Sequence, residues 1–503
     1  MHIAFAASEC VPFSKTGGLA DVVGALPRAL AALGHQVSVY LPRYRQTKLA
    51  DPQTVVRSIT IPFDDKYRFC SVVTAGANTP AGVRFYFVDY PPYFDREALY
   101  GGPAGDYPDN PERFALFSRA VLEASKILGV PQVFHCHDWQ SALVPVMLRT
   151  LYAEDPAFRE VATVFTIHNM GYQGLFPPDT LALLTLPWEL LTISKMEFFG
   201  QVNFLKGALV LSDFVTTVSK KYSQEIQTTE YGFGLEGVLR NRAATVTGIL
   251  NGVDYDEWSP QTDKFIVARY SSQDLSGKLQ CKKDLLRAFG VANVDTNCKV
   301  PVIGIVSRFA TQKGFDLIAQ IMDRLAREEM IMVVLGSGDK PYEEMFQRLN
   351  KQFPNKIAAK VAFDNAIAHK IEAGADMFLM PSRYEPCGLN QIYSLKYGTV
   401  PIVRATGGLD DTIEPWDART GKGTGFKFSD YTGEALLATI KQALLAYRDP
   451  SSWQTLMRNG MSRDFSWGAS AREYGKIYER ARQVRASADA VAAAELKKEP
   501  VLG

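Results

Sequence analysis

The sequence predicts an α/β protein of two domains, each built on a doubly wound, mostly parallel sheet. Three observations predict it. Short apolar runs of strand length alternate with helical periodicity along nearly the whole chain. The alternation comes in two series separated by a polar stretch. The glycine-rich and charged motifs fall in loops after strands, where doubly wound sheets bind ligands.

The first series opens with an apolar strand at 3–7 and a loop over 8–18. Leu19, Val22, Val23, Leu26, Leu30 and Leu33 then recur at helical spacing. Gly34 stands where a helix C-cap belongs, and 37–41 reads as the next strand. Further strands are expected at 83–88, 133–136, 162–167, 214–218 and 246–250. The second series has strands at 302–306, 332–335, 361–363, 377–380 and 401–403. The polar stretch at about 254–299 marks the boundary, giving a first domain over 1–258 and a second over 259–464. Residues 486–503 are rich in Ala and Lys, lack aromatics, and read as a frayed helix or flexible tail.

Bulk properties exclude several classes. Apolar residues make up 47% of the 503, too many for a disordered chain. A net charge of +1 provides no field to draw nucleic acid or an anionic membrane, so neither is expected as a partner. The six cysteines have no disulfide-framework or C-x-x-C spacing, which suits reduced thiols in the cytoplasm. The N-terminus reads as a strand rather than a signal segment, and no apolar run approaches a membrane span.

Lys15-Thr16-Gly17-Gly18-Leu19-Ala20-Asp21 joins the first strand to the first helix. Its glycines admit a ligand close to the backbone, the helix start offers N–H groups to an anion, and Lys15 adds a cation. That suits a diphosphate; a glycine-rich turn with a surface lysine is the plain alternative. The loop is neither G-x-G-x-x-G nor a Walker loop, so it does not point to a dinucleotide or to ATP hydrolysis. Arg308 and Lys313, in the loop after the first strand of the second series, suit the same anion from the opposite side. Their alternative is two solvated charges.

Glu385 lies in Pro381-Ser382-Arg383-Tyr384-Glu385-Pro386-Cys387-Gly388-Leu389 and has no basic partner at helical spacing. It suits sugar hydroxyls or a developing positive charge; a carboxylate favoured by a helix N-terminus is the alternative. Thr406-Gly407-Gly408-Leu409-Asp410 repeats the strand–Gly-Gly–helix arrangement. His135-Cys136-His137-Asp138 looks like a metal cluster, but adjacent strand residues face opposite sides and no second ligand cluster follows. No metal site is expected there. Asp138-Trp139 suits a sugar better, and His168-Asn169 ends a strand at the same rim, although a structural histidine is the alternative. Asn251-Gly252 reads as a turn.

Taken in order, these motifs resemble those of bacterial glycogen synthases and plant-type starch synthases. That ADP-glucose-using family has the GT-B fold, two Rossmann-like domains facing a deep interdomain cleft. The resemblance runs from His2 to about Tyr478 and includes Tyr172-Gln173-Gly174 and the run from Gly248 to Asp254. It implies catalytic roles for Glu385, His168, Arg308, Lys313 and Asp138, the two cations holding the diphosphate and His168 lying by O6 of the glucose. It implies donor contacts from Lys15, Gly17, Gly18, Asn251, Phe363, Cys387, Gly388, Leu389, Thr406, Gly407 and Gly408, with Phe363 near the adenine. Glu9, Asp21, Tyr100 and Asn169 would line the sugar or acceptor side. Asn390 resembles the starch-synthase form rather than the threonine of some glycogen synthases. A helix at about 465–482 would pack back on the first domain.

The activity implied is retaining transfer of glucose from ADP-glucose to the non-reducing end of an α-1,4-glucan or malto-oligosaccharide, with no cofactor. Two rivals remain. An α-glucan phosphorylase shares the architecture but needs a lysine-linked pyridoxal phosphate. A catalytically silent glucan-binding protein would not need the intact Lys15, Arg308, Lys313 and Glu385.

Overall fold

The computed structural model describes residues 1–63, 66–76, 82–102 and 105–496. The chain divides into two compact units. The first comprises Met1–Val218, Ser223–Gly252 and the chain from Trp467 on; the second comprises Ser219–Tyr222 and Val253–Ser466. The chain thus passes between units after Gly252, before the expected 258. The polar stretch that follows is built into the second unit, with Ser259, Asp263 and Tyr270 buried and a helix over Ser276–Ala288.

Among the described residues the first unit has a nine-stranded sheet. Its spatial order is Val246–Gly248, Phe214–Thr217, Ala162–Ile167, Val133–His137, His2–Ala6, Gln36–Pro42, Val83–Asp89, Lys66–Thr74 and Gln53–Phe63. The first seven are parallel, and the last two add an antiparallel edge that the sequence reading omits. From Ile59 on, that edge alternates as a half-buried strand should: Ile59, Ile61 and Phe63 are buried, with Thr60 exposed between the first two.

The second unit has six parallel strands in the order Ile357–Val361, Ile331–Gly336, Val302–Val306, Met377–Met380, Val400–Arg404 and Phe426–Phe428. Both faces are covered. Ile303, Met332, Val334, Met377 and Leu379 pack into one cluster, while Val302, Val333, Leu335 and Phe378 pack into another. A strand buried on both faces has no use for polar alternation, which is why these segments read as continuous apolar runs. The outer strand ends at Val361, so Phe363 lies in the loop beyond it, not at the strand end.

The terminal helix, Trp467–Leu496, extends past the expected start of the tail at Ala486; residues 497–503 lie outside the described residues. Trp467, Ala471, Tyr474, Tyr478 and Ala481 recur at helical spacing and are buried in the core of the first unit, against the helix Gly18–Ala32. Burying each aromatic ring contributes about 2 kcal/mol.

A small antiparallel sheet joins Leu175–Phe176, Gln201–Asn203 and Glu197–Phe198. Phe198 pairs with Gln201, leaving Phe199-Gly200 as a two-residue loop with φ of 49° and 79°. Asn-Gly or Asp-Gly normally fills such a turn, because both central residues are left-handed. A phenylalanine there costs about 1 kcal/mol. Phe233-Gly234 repeats the pair of signs, at 50° and 84°.

Candidate active site

In the first unit the loop after the first strand is organised from below by Glu9, which is 3% exposed. The Thr16 N–H donates to Glu9 Oε2 at 2.5 Å, the Gly17 N–H to the same oxygen at 3.2 Å, and the Thr16 hydroxyl to Oε1 at 2.6 Å. The Tyr100 hydroxyl donates to Oε1 at 2.6 Å. Burial, with the Glu9 charge beside it, holds the Tyr100 phenol well above its ordinary range. Glu9 and Tyr100 therefore shape the loop that carries Lys15, Gly17 and Gly18. Lys15 Nζ donates to Asp21 Oδ1 at 2.6 Å in an exposed pair. A Cβ added to Gly17 or Gly18 would meet nothing within 4 Å.

The strand ends Val133–His137 and Ala162–Ile167 bring Asp138 and His168 together. The His168 N–H donates to Asp138 Oδ1 at 2.7 Å, and the Asn169 N–H also points at this carboxylate. Burial pushes the Asp138 carboxyl up to about 7, against the pull of those N–H groups and with a smaller push from Glu9. Its backbone is left-handed, φ 55°. Asn169 Oδ1 accepts from the Gly171 N–H at 2.9 Å, which forms the turn leading to Tyr172.

His135 and His137 face the same side of their strand, with ring centroids 4.1 Å apart. His135 is bonded through Nδ1 to the Tyr478 hydroxyl at 2.9 Å and through Nε2 to Thr166 Oγ1 at 2.6 Å. His137 Nδ1 lies 3.0 Å from His168 Nε2. Burial holds His135 and His137 well below the ordinary imidazole range and takes His168 down to about 3, so all three rings are neutral at pH 7. Among the described residues, no group of three or more His, Cys, Asp or Glu is arranged to hold a metal.

In the second unit three post-strand loops converge on Glu385, 6% exposed. Lys313 Nζ donates to Glu385 Oε2 at 2.7 Å, and the Ser382 hydroxyl donates to the same oxygen at 3.0 Å. The partner absent at helical spacing is thus supplied from 72 residues away. The loops are locked by backbone contacts that only glycine permits. A Cβ on Gly314 would lie 2.0 Å from the Pro381 carbonyl oxygen, one on Gly407 1.9 Å from that of Glu385, and one on Gly408 1.9 Å from that of Cys387. The Gly408 N–H donates to the Glu385 carbonyl at 3.1 Å. Gly388, φ 69°, turns the chain after Cys387, and Leu389 caps the helix Asn390–Tyr397. Asn390 Nδ2 ties that helix to the Val306 carbonyl at 2.7 Å. Thr406 is buried, while Arg308 is exposed and has no ion-pair partner among the described residues.

Two expected donor residues stand apart from these clusters. Phe363 is 88% exposed. Asn251 is buried, with its Oδ1 lacking a partner among the described residues. It precedes Gly252, where a Cβ would lie 2.6 Å from Trp467 Cα.

Residues 2–241 match the family described as the starch synthase catalytic domain, and 292–458 match the group 1 glycosyl transferases. A glycogen synthase of Koribacter versatilis is 72% identical over 486 residues, covering 97% of this chain and 99% of that protein. The chain belongs to the glycogen and starch synthase family. A second relative in the family, a glycogen synthase of an Anaeromyxobacter species, is 47% identical over 95% of this chain and 99% of that one. The catalytic domain of starch synthase IV from Arabidopsis thaliana, solved with ADP and acarbose bound, has a TM-score of 0.87 and 33% identity, covering 96% of this chain and 99% of that one. The two-sheet architecture described above is the GT-B fold of the synthase family. A sucrose-phosphate synthase from Thermosynechococcus elongatus, at 20% identity and a TM-score of 0.58, shares the fold alone. Among the described residues, no helix is long and apolar enough to cross a membrane.

Two further residues in this synthase-family site escape a reading by motif. Thr16 grips Glu9 with both backbone and hydroxyl, and Ser382 holds the Glu385 oxygen that Lys313 also takes. Each sits inside a motif already singled out. Their signal was a hydroxyl within a few residues of a charged group.

Proposed function

We propose that this chain transfers glucose from ADP-glucose to the 4-hydroxyl at the non-reducing end of an α-1,4-glucan, with retention at the anomeric carbon and release of ADP. The observation that carries the reading is the Lys313–Glu385 pair, a buried carboxylate and an ammonium 2.7 Å apart on post-strand loops. Lys313 and the exposed Arg308 suit the negative charge that grows on the leaving diphosphate. Fixed cations aimed at such charge are a large source of rate. In the first unit Lys15 and the N-terminus of the helix Gly18–Ala32 suit an anionic group of a ligand. Gly17 and Gly18 are not required by contacts within the protein, since a Cβ at either meets nothing. Space left open at a helix start supports close approach of a ligand.

Glu385 would stabilise the oxocarbenium-like transition state rather than attack it. One of its oxygens already accepts from Lys313 and Ser382, which weakens it as a nucleophile. Double displacement would also need a second carboxylate about 5 Å away as acid and base. The acceptor hydroxyl then attacks from the face that ADP leaves, and its proton passes to the departing diphosphate. His168, neutral at pH 7, suits a hydrogen bond to O6 of the sugar. Asp138, Asn169 and Asp21 would meet sugar or acceptor hydroxyls, and the free Oδ1 of Asn251 and the exposed ring of Phe363 would meet the donor. Among the described residues none of the six cysteines forms a disulfide, which suits a cytoplasmic setting.

The test is incorporation of labelled glucose into glycogen from ADP-glucose and, separately, UDP-glucose. ADP-glucose is expected to be the better donor, with the new linkage in the α configuration by NMR. No transfer from either donor would leave a glucan-binding protein as the reading. Lys313→Ala is expected to lower kcat/KM for ADP-glucose roughly 30-fold or more, since a charge-assisted contact strengthened in the transition state is worth about 2–4 kcal/mol. Near-normal kinetics in a folded variant would remove Lys313 from the diphosphate site.

A further inference from the structure

We propose that Phe199, Phe233 and Tyr172 form a stacking platform for the outer sugars of the acceptor glucan, away from the bond being made. This deepens the proposed function and rests on it for the identity of the ligand. Two features of Phe199 oppose its presence for the sake of folding. Its φ of 49°, followed by Gly200 at 79°, defines a turn that Asn-Gly fills best. Its ring is 85% exposed, so little apolar burial is gained in return. Phe233-Gly234 repeats the first feature, with a ring 41% exposed. A strained, exposed aromatic is expected where it serves something other than the fold.

The two turns are neighbours. A Cβ on Gly234 would lie 2.8 Å from the Phe198 ring and 3.6 Å from the Phe199 ring. They are also joined to the sugar-side loop of the first unit. Gln173 Nε2 donates to the Phe233 carbonyl at 3.1 Å and to the Met170 carbonyl at 3.2 Å, and Asn203 Nδ2 donates to Gln173 Oε1 at 2.6 Å. Tyr172, next to Gln173 and 54% exposed, follows the turn that begins at Asn169. Through Gln173, the loop carrying His168, Asn169 and the exposed Tyr172 is thus tied to the Phe233 turn.

An α-glucan fits such exposed rings. Each glucose unit has a face of C–H bonds that packs on an aromatic ring, while its hydroxyls point outward to polar groups. A polar group is present: Glu197, whose Oε1 accepts from the Gly200 N–H at 2.8 Å.

Phe199→Asn removes the ring and installs the residue that the turn favours, so the full-length variant is expected to melt at the same temperature or higher. Its affinity for maltoheptaose, titrated calorimetrically without donor, is expected to fall about fivefold or more, the usual scale for losing an aromatic anchor. In transfer assays KM for maltoheptaose should rise in parallel, with KM for ADP-glucose and kcat on saturating maltotriose unchanged. Phe233→Asn is the second variant and should act the same way. Unchanged maltoheptaose binding in both folded variants overturns the platform. So does a change of oligomeric mass without a change in glucan affinity, which would make these rings a subunit contact. Ring-dependent glucan binding by a wild-type protein that transfers no glucose would uphold the platform and defeat the proposed function, so the two failures are distinct.

Discussion

Glu385→Gln is expected to lower kcat roughly 30- to 1000-fold while leaving KM for ADP-glucose within about threefold. Glutamine keeps the shape of the side chain and an oxygen for Ser382 and Lys313, but removes the charge. In the resting enzyme that charge neutralises Lys313 at 2.7 Å. In the proposed transition state it would face a sugar ring acquiring positive charge. Its effect is therefore larger in the transition state than in the donor complex, and the loss falls on kcat. Steady-state kinetics with circular dichroism as a fold control checks this. Wild-type kcat in a folded Glu385→Gln would remove Glu385 from the catalytic residues. A one-hexose adduct on the Glu385 peptide of wild-type enzyme, quenched after exposure to donor alone, would overturn same-face attack.

Gly408→Ala is expected to damage both stability and activity. The added methyl would lie 1.9 Å from the Cys387 carbonyl oxygen, and the atoms it meets are backbone. Neither a rotamer change nor a flexible tip relieves such a contact. Overpacking of this kind costs about 1–3 kcal/mol, and a loss of about 3 °C or more in melting temperature follows for a domain of this size. The strand-to-helix turn from Glu385 to Leu389 must shift to make room. Displacement near 1 Å at a reacting group costs about 100-fold in rate. Gly17→Ala is the control for stability, because its Cβ meets nothing within 4 Å. If Gly408→Ala melts and turns over like wild type, the close packing of these loops does not position Glu385.

The parallel strands were legible because burial on both faces leaves an uninterrupted apolar signature. The run Val302-Ile303-Gly304-Ile305-Val306 is a clear instance. The edge pair Gln53–Phe63 and Lys66–Thr74 was not, since register shifts near Val56 and Ile59 break its alternation. Arg57 and Ser58 interrupt it where a strand reader expects one apolar residue in two. At the site, residue types after strands marked Glu385, Lys313, Lys15 and His168. Their pairings were hidden because they depend on tertiary neighbours. Lys313 meets Glu385 from a different loop, 72 residues away, and Glu9, expected beside a sugar, supports the Lys15 loop through Thr16 and Gly17. The turns at Phe199 and Phe233 were also hidden, since only the backbone angles reveal that a glycine-like conformation is held by an aromatic residue.

The division of the chain governs the order in which the protein is made. All of the second unit but Ser219–Tyr222 is inserted between two stretches of the first: Val253–Ser466 begins and ends at neighbouring backbone, the Val253 N–H donating to the Phe465 carbonyl at 2.8 Å. The first unit lacks Trp467, Tyr474 and Tyr478, and with them the hydrogen bond to His135, until the ribosome has released the last helix. At about 5–20 residues per second that wait is on the order of ten seconds or more, ample for a domain to fold. The half synthesised first is thus the half completed last. Its open core over the strand Val133–His137 is the surface that a chaperone acting on the nascent chain would meet.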